Sequence, residues 1–119
     1  MITSLVEHKA TLNTCKYLNG ELYSNNDPTT SLFGVKKKVD RGYEASFVGV
    51  NPDGEISVEE ITSAIKENTA LVSMIYVNNE IGTISDVESV AEICNKNNIA
   101  LHSDLTQALG KIEIDVKRM

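Results

Sequence analysis

Asp104 and Gln107 stand three residues apart where an apolar strand, 99–101, should be ending. In open α/β sheets, ligands sit outside the carboxyl ends of the strands. An Asp at such a place, with a Gln one short turn later, can offer an anion and a neutral hydrogen-bonding group to the same small planar ligand. The competing role for such an Asp is local, as the cap of a following turn or helix. Further polar sites fall at other predicted strand ends, namely His8 and the run Asn78-Asn79-Glu80. If the strands run parallel, His8, Asn78-Asn79-Glu80, Asp104 and Gln107 all reach one rim of the sheet.

The elements that must position these groups are legible as hydrophobic periods. Residues 2–6 are short, apolar and rich in β-formers, and predict a strand. Glu7-His8-Lys9 then opens a segment in which Thr11, Leu12, Cys15 and Leu18 follow helical spacing. Residues 19–40 break the pattern with turn formers (Asn19-Gly20, then 24–31) and the cluster Lys36-Lys37-Lys38, which predicts a surface insertion. Residues 43–50 predict the next strand, closed by the turn Asn51-Pro52-Asp53-Gly54. Ser57 and Glu60 form a capping box for a helix whose buried face carries Val58, Ile61 and Ile65. The near-continuous apolar run 70–77 suits a parallel strand covered on both faces. Ser85 and Glu88 read as a second capping box, ahead of a helix with Val87, Val90, Ala91 and Cys94 on its buried stripe. Residues 112–116 fit either a further short strand or a connecting turn. Strand and helix alternate throughout, which predicts βαβ units in a three-layer α/β/α fold with a mostly parallel sheet.

Composition narrows the chemistry. The 119 residues are 41% hydrophobic and 24% charged, as in an ordinary single globular domain, and carry a net charge of −6. That sign disfavours nucleic acid and anionic membrane surfaces as partners. No apolar run reaches the length of a membrane span, and the amino-terminal residues show no signal-peptide pattern. No dinucleotide-binding glycine fingerprint, phosphate-binding P-loop or nucleophile elbow occurs. His102 and Asp104 share one side of a strand, but two ligands do not make a metal site. His102 reads as a supporting or core residue. Cys15 and Cys94 sit on apolar helix stripes, so both are expected as buried thiols in a reducing compartment.

Three blocks resemble a known family. These are Thr3-Ser4-Leu5-Val6-Glu7-His8-Lys9-Ala10, then Val77-Asn78-Asn79-Glu80-Ile81-Gly82-Thr83, then His102-Ser103-Asp104-Leu105-Thr106-Gln107-Ala108-Leu109-Gly110-Lys111. In type and order they look like cysteine desulfurases of the NifS/IscS-like group, which are pyridoxal-phosphate-dependent enzymes of fold type I related to class V aminotransferases. The likeness runs nearly end to end apart from 19–40, and implies a central part of the large domain. It implies pyridoxal 5'-phosphate as cofactor and conversion of L-cysteine to L-alanine, with the sulfur left as an enzyme persulfide for iron–sulfur cluster assembly. By the same resemblance, His8 matches the histidine that stacks on the cofactor ring and exchanges protons with the substrate. Asp104 matches the carboxylate that pairs with the pyridine nitrogen, which keeps the ring an electron sink. Asn79 and Gln107 match the amides that reach the ring's phenolic oxygen.

The departures matter as much. The family's cofactor-anchoring lysine lies in a Ser-x-His-Lys block that this sequence lacks. The phosphate-gripping Gly/Thr segment, the persulfide-bearing cysteine and the substrate-binding arginine are missing too. The 119-residue chain is therefore expected to be inactive by itself. A selenocysteine lyase shares the Asn-Asn-Glu and Asp-x-x-Gln blocks and remains open as an alternative. So does a non-catalytic interaction module that kept the fold. The family's homodimers, or an iron–sulfur scaffold protein, are the implied partners, in bacterial cytosol or mitochondria.

Overall fold

A computed structural model describes residues 1–21 and 39–117. Most of the predicted insertion 19–40, including Lys36, Lys37 and Lys38, lies outside the described residues.

Four short strands and three helices alternate along the chain: β1 (Ile2–Ser4), α1 (Lys9–Leu18), β2 (Ser46–Val48), α2 (Val58–Ala64), β3 (Leu71–Ile75), α3 (Val87–Lys96) and β4 (Ala100–Asp104). The strands form one sheet in the order β2-β1-β3-β4, and every pairing is parallel. The expected α/β/α architecture with a parallel sheet is what the chain adopts. After β1 the chain moves outward to β2, and after β2 it crosses back to lay β3 on the other side of β1. The point between β1 and β3 is therefore where the winding reverses, and such a reversal opens a crevice at the carboxyl ends of the strands.

Side-chain alternation divides the two faces of the sheet. Ile2, Val72 and Met74 point to one face and join Ile61, Val87, Val90 and Cys94 in the main apolar core. The helices α2 and α3 pack together there. Thr3, Ser73 and His102 are aligned in register on the other face, where Ser73 and His102 line an open cavity with Thr11, Thr14 and Cys15 of α1. One face is thus oily, while the other carries a polar row. Both cysteines are buried and free, and burial pushes both thiols up.

Several boundaries differ from the sequence reading. Every strand but the last is shorter than its apolar run. The strand predicted over 2–6 stops at Ser4, because Leu5 turns outward and is 52% exposed. That over 43–50 shrinks to Ser46–Val48, with Tyr43 61% exposed after Gly42 at φ +73°. β4 begins one residue later than read, at Ala100, and ends at Asp104 as expected, where pairing with β3 reaches Ile75↔Asp104. Residues 112–116 form no strand. His8 stands at the junction of strand and helix, as the cap of α1, which starts at Lys9.

Ser57 caps α2 as expected, accepting from the Glu60 N–H at 3.2 Å, while its hydroxyl donates to Glu59 Oε2 at 2.9 Å. The second capping box is corrected. Asp86, not Ser85, caps α3, accepting from Ser89 N at 3.1 Å and Ser89 Oγ at 2.7 Å. A carboxylate is the stronger acceptor at a helix start. Ser85 is instead buried, its N–H bonded to Tyr76 O at 2.8 Å beside the Val77↔Ile84 bridge.

Candidate functional site

His8, Asn79, Asp104 and Gln107 line one cavity of about 180 Å³, together with Ile75 and Thr106. The cavity lies over the carboxyl ends of β3 and β4, beside the β1–β3 reversal. Four residues from three separate strand ends thus meet, as parallel winding requires. Complete small-molecule pockets run to roughly 300–1,000 Å³, so this volume suits one part of a ligand, such as a single aromatic ring.

His8, Asp104 and Gln107 are each held by a local bond that leaves another of their atoms available. His8 caps α1, its Nδ1 accepting from Ala10 N at 3.3 Å. With Nδ1 as acceptor, the neutral ring carries its proton on Nε2. Asp104 Oδ1 accepts from Thr106 N at 2.9 Å, an Asx turn that leaves Oδ2 for a ligand. The local capping role and the ligand role of Asp104 are therefore compatible, one oxygen for each. The Thr106 hydrogen bonds hold the Asp104 carboxyl below the usual carboxylate range, with His8 and His102 adding smaller attractions. Gln107 Oε1 accepts from Lys111 Nζ at 2.6 Å, which orients the amide and leaves its NH₂ as a donor.

The two asparagines after β3 divide their labour. Asn79 is exposed and lines the cavity. Asn78 is buried and builds the loop: its Oδ1 accepts from Glu80 N at 2.8 Å and Ile81 N at 3.0 Å, while its Nδ2 donates to Val6 O at 3.0 Å. That last bond ties the loop after β3 to the one that carries His8. His102 is exposed rather than in the core, and bonds Ser73 Oγ through Nδ1 at 2.8 Å. Glu7 was not singled out from the sequence, yet it is buried beside the site, with its carboxyl pushed up chiefly by desolvation. A signal was available. An acid between Val6 and His8 at a strand end has Ser4 three residues behind it, and Ser4 Oγ donates to Glu7 Oε1 at 2.6 Å.

The donor set, one carboxylate, two amides and an imidazole around the same space, suits a small planar ligand with hydrogen-bonding groups at its edge. Among the described residues, no group of three His, Cys, Asp or Glu side chains is placed to hold a metal ion.

The family model for class-V aminotransferases matches residues 22–119. The chain is 35% identical over its whole length to a cysteine desulfurase IscS of Plasmodium falciparum, covering 18% of that protein. It is 36% identical to the cysteine desulfurase IscS of Buchnera aphidicola, of which it covers 24%. A solved structure described as SspA in complex with cysteine superposes on 98% of the chain with a TM-score of 0.79 at 30% identity, over 28% of that protein. The chain thus spans about a fifth to a quarter of the curated relatives it matches. It belongs to the class-V aminotransferase family, in the cysteine desulfurase-like group of pyridoxal-phosphate-dependent proteins of fold type I.

Proposed function

We propose that residues 1–119, as a central part of the large domain of a cysteine desulfurase, hold the ring of pyridoxal phosphate. The observation that carries this reading is the convergence of His8, Asn79, Asp104 and Gln107 on one ring-sized cavity. In this role Asp104 Oδ2 keeps the proton on the pyridine nitrogen, which the low pKa of its carboxyl favours. The Asn79 and Gln107 amides face the phenolic oxygen. The His8 ring covers the cofactor and offers Nε2 for proton exchange with the substrate. When bound, the cofactor supplies an electron sink for carbanionic character at the substrate's α-carbon.

The substrate in this reading is L-cysteine, as the curated relatives and the cysteine-bound neighbour suggest. The carbon–sulfur bond breaks as an enzyme thiol takes the sulfur, so that L-cysteine and a thiol give L-alanine and a persulfide. The sulfur then goes to iron–sulfur cluster assembly. Neither Cys15 nor Cys94 suits the accepting role, since both are buried with raised thiol pKa. Lys111 is engaged with Gln107, and it is not read as a covalent anchor. We therefore read this stretch as the ring-holding side of the site, insufficient for turnover alone.

Titrating pyridoxal phosphate into isotope-labelled chain tests the reading. Saturable shifts confined to His8, Asn79, Asp104 and Gln107 and their neighbours are expected, and should be largely lost in Asp104→Ala. Shifts that scatter over surface lysines, or that survive Asp104→Ala unchanged, would overturn it.

A further inference from the structure

Glu7 is the buried carboxyl of the described residues, only 6% exposed. It lies outside the cofactor cavity, yet it touches both strands between which the winding reverses. Its Oε1 accepts from Ser4 Oγ at 2.6 Å, at the end of β1, and from Ile75 N at 2.9 Å, at the end of β3. Ile75 is the register partner of Asp104 and part of the cavity lining. His8 follows Glu7 directly in the chain. One carboxyl group therefore joins the turn that carries His8 to the strand end that stands beside Asp104.

Its other oxygen points to its protonation state. Oε2 is buried with no hydrogen-bond partner among the described residues. A carboxylate oxygen left bare in such a place costs far more than a neutral hydroxyl does. The titratable groups around it add to that cost. Asp104 from β4 repels a charge on Glu7, while the nearby Cys15 of α1, its thiol pushed up by burial, offers no compensating charge. β1 and β3 offer the Ser4 hydroxyl and the Ile75 N–H, which together satisfy a single oxygen.

We propose that Glu7 is a positioning residue, a neutral carboxylic acid that clamps the β1 and β3 strand ends and so sets the separation of His8 and Asp104. Being uncharged, it leaves Asp104 as the anion that faces the cavity. This rests on the ring-holding reading only for its purpose, because clamp and protonation state are properties of the ligand-free chain.

The test uses the full 119-residue chain without ligand, following side-chain carboxyl ¹³C resonances against pH. The Glu7 carboxyl should titrate clearly above the exposed glutamates in the same spectra. In Glu7→Gln, which keeps a carbonyl acceptor and places a donor at the Oε2 position, the backbone shifts around His8 and Asp104 should be unchanged. The Asp104 midpoint should stay where it was, since no charge has been removed over its range. Glu7→Ala should disturb those same shifts. The proposal fails if Glu7 titrates with the exposed glutamates, if Glu7→Gln lowers the Asp104 midpoint, or if Gln perturbs the site as much as Ala does. Should Glu7→Ala not fold, the wild-type titration and the Gln variant still decide. A chain that passes here yet fails to bind pyridoxal phosphate refutes the cofactor reading and leaves the clamp standing.

Discussion

β3 and β4 are neighbours of equal length, paired residue for residue from Leu71↔Ala100 to Ile75↔Asp104, yet they live in different surroundings. Four of the five β3 residues are buried, whereas none of the β4 residues is. Val72 and Met74 of β3 are covered by α2 and α3 on one face, α1 lies over the other, and both edges are paired, as a central parallel strand requires. β4 carries His102, Ser103 and Asp104, and packs chiefly through Leu101. Stability is therefore concentrated in one strand and chemistry in the next. The arrangement is economical: a charged group at the end of β4 keeps contact with solvent and with the cavity, while its position is inherited from the buried strand beside it.

The largest effect expected from this division is on folding. Met74 is 1% exposed at the centre of the apolar face. Met74→Ala should destabilise the chain by about 2–5 kcal/mol, through lost burial and the cavity left behind. Urea denaturation followed by circular dichroism reads this directly. The matched change on β4, Asp104→Asn, keeps an oxygen for the Thr106 N–H and should cost no more than about 1 kcal/mol. Comparable losses in the two variants would dissolve the distinction between the strands.

The second effect runs in the opposite direction. Asp104→Asn removes the anion but preserves the shape of the turn, so pyridoxal phosphate should bind about tenfold or more weakly, in line with the roughly 1.5–3 kcal/mol of a charge-assisted hydrogen bond. A conservative Met74→Leu should leave that affinity unchanged. Equilibrium binding followed by ligand absorbance compares the two, and an Asn variant that binds as tightly as the parent would remove Asp104 from the site.

The same contrast explains how much could be read from the letters. The run around Val72, Met74 and Ile75 announces a buried strand because its apolar character is continuous. The helical stripe of Val87, Val90, Ala91 and Cys94 is equally plain, and all four are buried. The lower end of β4 was legible from the place of His102 and Asp104 on one side of the strand, and pairing with β3 carries it to Asp104. Ser85 was misassigned as a cap because spacing alone cannot tell it from Asp86; backbone bonds to Tyr76 settle the matter. His8, Asn79, Asp104 and Gln107 were visible through their type and their place after strands. Asn78 was visible as part of the polar run after β3 but not as the loop's builder, and the role of Glu7 was not visible, since the bonds that define them span 72 and 68 residues of sequence and exist only once β1 and β3 are side by side.

The smallest expected effect is the pH dependence of stability, and here the two acids beside the cavity oppose each other. The hydrogen bonds from Thr106 depress Asp104 from its ordinary value of 3.8. Its contribution is therefore present above that value and is lost as the pH falls through the lower folded-state value. Desolvation raises Glu7 from its ordinary value of 4.5. Its contribution is complete below 4.5 and is lost as the pH rises through the higher folded-state value, because the unfolded chain then ionises more readily than the folded one. Urea midpoints at constant ionic strength should accordingly fall on both the acid and the neutral side of a weakly acidic maximum. Asp104→Asn should flatten the acid limb alone, and Glu7→Gln the neutral limb alone. If the neutral limb persists in Glu7→Gln, some other group is being ionised on unfolding, and the electrostatic difference between the edge of the site and its buried support has been assigned to the wrong residue.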